Sequence, residues 1–325
     1  MWNFLYGKES VSTMISLSKL DVNNYLDWDF VVENSKNGTF IFLIDYFKYH
    51  EDRFKDESII AYKNEKPIAV FPANGIDNVI FSHSGLTYGG LIYNKSLHAN
   101  DVLDIFSLIK AYYANRGFEK ITYKCIPSVF STYPAEEDLY ALFRNNGTLV
   151  RRDLSSVIDL KNRPKFSDSR KNVIKKAIKN DVVIESSEDF SGFHSLLSDV
   201  LLKFDSKPVH SISELKLLAS RFKDNIKLYV AFKSSQLIAG CIIYDFGHIV
   251  HTQYLASSTE GRKYGALDYI LSYLITDVYS ERSYFSFGIS TEKAGSYLNE
   301  GLVAQKEGFG GRGIVHDFYE WDLRE

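Results

Sequence analysis

Apolar and polar positions run through the same order twice along this chain. Residues 61–70 read AYKNEKPIAV and residues 231–240 read AFKSSQLIAG, with Ala, Lys, Ile and Ala in register. Each is an apolar run, a polar turn and a second apolar run, the pattern of a β-hairpin. The first copy turns again at Asn74-Gly75 into VIFSH, ending at His83. The second turns at Asp245-Phe246-Gly247 into HIVHTQY, which carries His251. A helix is predicted next in each half. Over 99–116, Val102, Leu103, Phe106, Ile109 and Tyr113 fall near helical spacing; over 262–279, Leu267, Ile270, Leu271, Leu274 and Val278 do the same. A buried-looking strand follows each helix, at KITYKCI (120–126) and SYFSFGI (283–289). Further helices are predicted near 135–146 and 295–307, then closing strands at 152–160 and 313–323. A shared order of elements on this scale points to duplication. The predicted class is α/β (α+β), in two domains, 1–160 and 161–325, each a mixed central sheet flanked by helices.

Composition narrows this picture. A chain of 325 residues, 45% hydrophobic and 24% charged, has room for two ordinary domains. Formal charge is −3, with 16 basic and 20 acidic residues up to residue 160 and 22 and 21 after it. Neither half carries the overall basic bias that nucleic acid or an anionic membrane would select, so neither is expected as a partner. The exception is local: KNRPKFSDSRKNVIKKAIKN (161–180) has eight basic residues against one acidic. Val173, Ile174, Ala177 and Ile178 stripe its predicted helix, and Lys171, Lys175, Lys176 and Lys179 lie off that stripe. This is either a solvated face or an attractor of phosphates. Helices near 189–204 and 212–223 open the second half, with His210 between them. No Gly/Ser-rich tether separates the halves, so a packed interface is expected. Two cysteines, Cys125 and Cys241, exclude a disulfide framework and sit in apolar strands as core residues. His248 and His251 are only a pair, so no metal site is expected. Residues 1–20 lack a basic start followed by an apolar run, and no apolar stretch is long enough to span a bilayer; a cytoplasmic protein is expected.

Candidate chemistry concentrates in HIVHTQYLASSTEGRKYGALDYILSYLI (248–275), a strand leading through a Ser/Thr/Gly loop into an amphipathic helix. Backbone N–H groups at such a helix start suit a pyrophosphate, and Arg262 and Lys263 add positive charge there. Ser257, Ser258 or Thr259 capping an ordinary helix is the alternative. His251 stands two residues before Gln253 on the strand, so both side chains are expected on one face. Glu292 follows the strand at 283–290, at an end that commonly borders a ligand crevice. Lys306, on the last helix, is a candidate for meeting phosphate. The first half has its own polar Gly-rich loop at 81–90, whose His83, Ser84, Thr87 and Tyr88 can bind sugar hydroxyls or a diphosphate across a cleft; a turn with purely structural duty is the alternative.

Arg262-Lys-Tyr-Gly265-Ala266 resembles the R/Q-x-x-G-x-G/A pyrophosphate loop of the GNAT superfamily of acyl-CoA N-acyltransferases. QKEGFGGR (305–312) resembles the end of that superfamily's last helix. Two departures stand out: Leu267 replaces the final small residue, and no Tyr occupies the usual acid position. The duplicated plan, the RKNVIKKAIK helix and the K-x-G-F-G ending resemble the Fem-type tandem GNAT transferases. SHSGLTYGGLI (82–92), QYLASSTEGRKYGALD (253–268) and FGISTEKAGSYLNEGL (287–302) look closer to bacterial GNAT-fold sugar N-acetyltransferases. That resemblance implies two tandem GNAT-like domains and acetyl-CoA as cofactor. It implies a nucleotide-linked amino sugar as acceptor, a dTDP-3-amino-3,6-dideoxyhexose for surface-polysaccharide synthesis. Gln253, Leu255, Ser257, Arg262, Lys263, Gly265, Ala266 and Asn299 would then hold acetyl-CoA. His251 and Glu292 would do the acid–base work, and His83, Ser84, Thr87, Tyr88 and Lys306 would bind the acceptor. A Fem-like aminoacyl transferase using aminoacyl-tRNA and a non-catalytic binding protein on the same fold are the alternatives.

Overall fold

The computed structural model describes residues 15–203 and 205–324. The first half runs β1 (Ile15–Lys19), α1 (Tyr25–Asn34), α2 (Ile44–Phe47), β2 (Lys55–Asp56), β3 (Ile59–Lys63), β4 (Lys66–Phe71), β5 (Asn74–Ile76), β6 (Val79–Phe81), β7 (Ile92–Tyr93), α3 (Ala99–Ala114), β8 (Lys120–Lys124), α4 (Glu137–Arg144) and β9 (Thr148–Asp159). The second runs α5 (Asp168–Lys179), β10 (Val183–Ser187), α6 (Phe190–Leu202), α7 (Ile212–Arg221), β11 (Ile226–Lys233), β12 (Gln236–Asp245), β13 (Ile249–Ser257), α8 (Thr259–Tyr264) and α9 (Ala266–Tyr273). It closes with β14 (Tyr284–Ile289), β15 (Thr291–Glu292), β16 (Tyr297–Leu298), α10 (Glu300–Gly308) and β17 (Arg312–Asp322).

The repeat read from the sequence is a structural repeat down to its irregularities. The β3–β4 and β11–β12 hairpins both turn through two residues of positive φ, Asn64 and Glu65 (51° and 64°) and Ser234 and Ser235 (46° and 63°). That is the turn whose twist matches a right-handed hairpin. Ala61 pairs with Ala69 and Ala231 with Ala239, and the register slips at the next residue in both copies.

The halves do not keep their strands to themselves. One sheet of eleven strands, ordered β10-β11-β12-β13-β14-β9-β17-β8-β6-β5-β2, runs through the molecule. The strand that closes the first half, β9, lies against β14 of the second, while the second half's last strand, β17, fits between β9 and β8. The predicted boundary at 160 therefore falls where the covalent chain passes between halves, whereas the hydrogen-bond ladder crosses it. In the first half the sheet divides. Pro72, between β4 and β5, has no N–H to continue a ladder, and β1-β3-β4-β7 form a separate four-stranded sheet.

Two predicted helices also differ. The segment 262–279 is split by Gly265, at φ 77°, into α8 and α9, and a π-helical turn at Leu274–Val278 follows. The last helix starts at Glu300 rather than 295, because 291–298 fold into the β15–β16 hairpin over Lys293, Ala294 and Gly295, all at positive φ.

The expected packed interface is present as an aromatic core shared by both halves. Phe40 of the first half lies 5.2 Å from Phe222 and 5.3 Å from Tyr244, ring centre to ring centre. The Tyr46 hydroxyl meets that of Tyr244 at 3.2 Å. Each such ring removed from water contributes on the order of 2–3 kcal/mol, so this interface is an integral part of the fold.

Candidate active site at a strand fork

β13 and β14 run parallel for only three residue pairs, ending at His251 opposite Ser286. Beyond that pair they separate, for reasons visible in each strand. β13 slips register against β12 between Tyr254 and Thr252, leaving Gln253 unmatched, and β14 slips against β9 between Ser286 and Ile289. Gly288, at φ 75°, takes the bend. Such bulges re-aim a strand and its side chains. Past the fork, the β14-facing edge of β13 has no strand partner among the described residues, which leaves its backbone groups for a ligand.

His251 sits in the throat. It is buried, its Nδ1 lies 3.0 Å from Ser286 Oγ, and its ring faces Gly288, where a Cβ would stand 3.3 Å from Cε1. Burial, with the nearby His316 and Lys306, pushes its pKa down to about 3, so the ring is neutral at physiological pH. Two further polar atoms on β13, Thr252 Oγ1 and Ser257 Oγ, are buried without a hydrogen-bond partner. Unpaired buried hydroxyls cost free energy that a ligand can recover.

Lys306 shapes the other arm of the fork. Its ammonium donates to Gly288 O at 2.8 Å, Ile289 O at 2.6 Å and Ser290 Oγ at 2.8 Å. These account for all three of its donors, so the expected phosphate contact finds no free N–H here. Burial lowers its pKa to about 8. Asn299 is likewise occupied: its Oδ1 caps α10 at Leu302 N and its amide donates to Glu292. Glu292 itself is exposed on the β15–β16 hairpin, so the expected acid–base pair of His251 and Glu292 is split between the buried throat and the surface.

The basic loop is built differently from the sequence expectation. Ser258 caps α8 by accepting from Gly261 N at 2.9 Å, and Arg262 donates back to Ser257 O at 2.9 Å. The close approach that Gly265 allows is taken by α5, whose Val173 covers it, with Arg170 paired to Asp268 beside this contact. Ala266 is buried, whereas Arg262 and Lys263 remain exposed. Beside them the exposed Lys171, Lys175, Lys176 and Lys179 of α5 extend the same positive surface. Gln253 and Leu255 are half-buried along the open arm of β13.

In the first half, the strand matching β13 is broken into β6 and β7 by the loop 82–91. Ser84 and Thr87 point outward, while His83 and Tyr88 turn in. Tyr88 is fully buried with its hydroxyl 3.2 Å from that of Thr39, and His83 packs on Phe47 at 4.5 Å. These two serve the core, and Ser84 and Thr87 are the members of the expected acceptor set within reach of solvent.

The sequence reading passed over a row of polar residues on the same face as His251. Register places Asp153 beside His316, and Arg151 beside Phe318 beside Lys124, across β9, β17 and β8. Asp153 and His316 are buried, and Thr291 donates to Asp153 at 2.8 Å. One signal was present: Lys124 interrupts the apolar strand KITYKCI. Its meaning depended on which strands lie next to β8. Among the described residues no cluster of metal ligands occurs, and no helix is long and apolar enough to cross a membrane.

No protein-family model matches the chain, and no curated protein matches it in sequence. Its fold does have solved counterparts. The crystal structure of FemX superposes with a TM-score of 0.65 at 11% identity, covering 94% of this chain and 97% of that one. The C-terminal domain of a putative lysylphosphatidylglycerol synthetase from Agrobacterium fabrum gives 0.61 at 9% identity over 93% and 92% of the two chains. A tandem GNAT protein from the clavulanic acid biosynthesis pathway gives 0.56 at 8% identity over 96% and 99%. The fold of this chain is thus the tandem GNAT fold along nearly its whole length.

Proposed function

We propose that the protein is an acyl-CoA-dependent N-acyltransferase that uses acetyl-CoA at the β13–β14 fork and acetylates the amine of a nucleotide-linked amino sugar. The observation that carries the reading is the fork itself: two parallel strands that part directly after a buried, neutral histidine. The residues around it fit a CoA thioester. The open edge of β13 offers backbone donors, Thr252 and Ser257 hold unpaired hydroxyls, and Arg262 and Lys263 lie exposed at the far end of the strand for phosphates. Acetyl-CoA would supply the activated acyl group.

The chain's own contribution begins with Ser286, which fixes the His251 ring through Nδ1 and leaves Nε2 toward the fork. A ring with a pKa near 3 cannot deprotonate a free ammonium ion efficiently. It can accept a hydrogen bond from a neutral amine and take its proton once the nitrogen has formed the new C–N bond, when that proton is far more acidic; the C–S bond then breaks, and the proton passes to the departing thiolate, which leaves as free thiol. Backbone N–H groups on β13 would polarise the carbonyl without any side chain, and Lys306 holds the opposite arm at fixed width. Glu292, exposed and accepting from Asn299, has no part in this proton path. The sugar and its nucleotide rest on resemblance in the sequence.

The test is free-thiol release from acetyl-CoA with a dTDP-3-amino-3,6-dideoxyhexose, with the product mass checked for one acetyl group. Acceptor-dependent release with that mass is the expected result. Acetyl-CoA binding without turnover would reject this acceptor; neither binding nor turnover would reject the CoA reading and favour an aminoacyl-tRNA donor.

A further inference from the structure

Lys124 is half-buried, and its charge is uncompensated among the described residues. Its ammonium donates to Leu86 O at 2.5 Å and weakly to His83 O at 3.4 Å, which leaves one N–H of three unused. Among the described residues no carboxylate pairs with it. Burial accordingly lowers its pKa to about 8, and Arg151 pushes in the same direction. Arg151, two strands away, pairs with Asp153 through Nε at 2.8 Å. Between the two cations stands Phe318, with its ring 5.8 Å from Lys124 Nζ and 4.4 Å from the Arg151 guanidinium.

These three side chains, with Ser82, His83 and Ser84, line a cavity of about 330 Å³. Its lining carries two positive groups, Lys124 and Arg151, and no carboxylate among the described residues; His83, pushed down to about 3, is neutral at pH 7. A partly desolvated ammonium without a counter-ion is stabilised by an anion that joins it. The loop that supplies the two carbonyls is itself held in an unusual backbone state, with His83 at φ 59°. The cavity opens on the same face as the fork, with His316 between, near enough to feel Lys124 and to be felt by His251.

We infer that Lys124, Arg151 and Phe318 form an anion subsite that takes a phosphate or diphosphate group of the acceptor. The identification of the ligand as acceptor rests on the proposed transfer reaction; the subsite as a phosphate site does not. A planar guanidinium and an ammonium converging on one small cavity match the many oxygens of a diphosphate better than a single carboxylate.

The experiment is calorimetric titration of the full chain with dTDP, UDP and inorganic pyrophosphate, repeated for Lys124→Met and Arg151→Gln and in raised salt. Expected is binding of dTDP and pyrophosphate that each substitution weakens at least tenfold, with acetyl-CoA affinity changed less than twofold. Lys124→Met should also keep or raise the Tm, since it removes a half-buried charge that has no counter-ion; a lysine present for structure alone would lower it. Arg151 is partly exposed, so its variant remains informative if the first does not fold. Unchanged dTDP binding in both variants, no binding of any phosphate probe, or an equal loss of acetyl-CoA affinity would overturn the subsite. If dTDP binds here while thiol release fails, the transfer reaction falls and the subsite stands.

Discussion

His251 and Lys306 show how far a residue's meaning depends on what surrounds it. Both were picked from the sequence, and both lie at the fork. His251 engages Ser286 through Nδ1, leaving Nε2 for the proposed chemistry, whereas Lys306 spends its three donors on the bulged end of β14. His251→Gln is expected to lower kcat on the order of a hundredfold or more with little change in KM, as for loss of a proton acceptor; steady-state kinetics with thiol detection checks this. Histidine burial also sets an acid limit. The pKa of His50, His210 and His316 falls to about 4, and that of His83 and His251 to about 3, each chiefly through burial. The unfolded chain takes up these protons from about pH 6.5 downward while the folded one does not, so stability is full above that pH and is lost as pH falls toward 4. Asp138, pushed up to about 6 by burial, works the other way, as do Asp29, Asp56 and Asp268, which burial also raises. Calorimetry between pH 7 and 4.5 should show a falling Tm and net proton uptake on unfolding; a flat Tm would count against this burial.

At the scale of elements, the kink between α8 and α9 explains a glycine that the sequence read as a phosphate contact. Gly265 combines φ 77° with the backbone and side chain of Val173 pressed against it. Gly265→Ala is expected to cost about 1–3 kcal/mol, from left-handed strain plus displacement of α5. Urea unfolding measures it, and Val173→Ala in the same background should restore part of the loss by making room. The basic helix α5 is thereby bound to the second half by its apolar stripe and the Arg170–Asp268 pair, with its lysines turned out. Periodicity had already separated these two faces except at Ile178, which is exposed beside the lysines. It had no means of saying that the stripe would land on the kink, because that contact joins segments nearly a hundred residues apart.

Over the whole molecule, the exchange of β9 and β17 ties the halves into one cooperative body. The full chain should unfold in a single calorimetric transition. A fragment ending at residue 160 should fail to fold, since β8 and β9 would lose the strand that pairs with both. Two transitions, or a soluble folded fragment, would show that the shared aromatic core and the exchanged strands matter less than their geometry suggests. The duplication, the main order of elements and the hairpin turns were legible in the amino-acid sequence. They are encoded locally, by apolar period, turn chemistry and residue type within a few positions. The strand exchange, the widening of the fork, the occupied donors of Lys306 and the pocket of Lys124, Arg151 and Phe318 were decided only by the tertiary structure. Each depends on which strands become neighbours, and that is set by pairing between distant segments whose individual patterns are compatible with several partners.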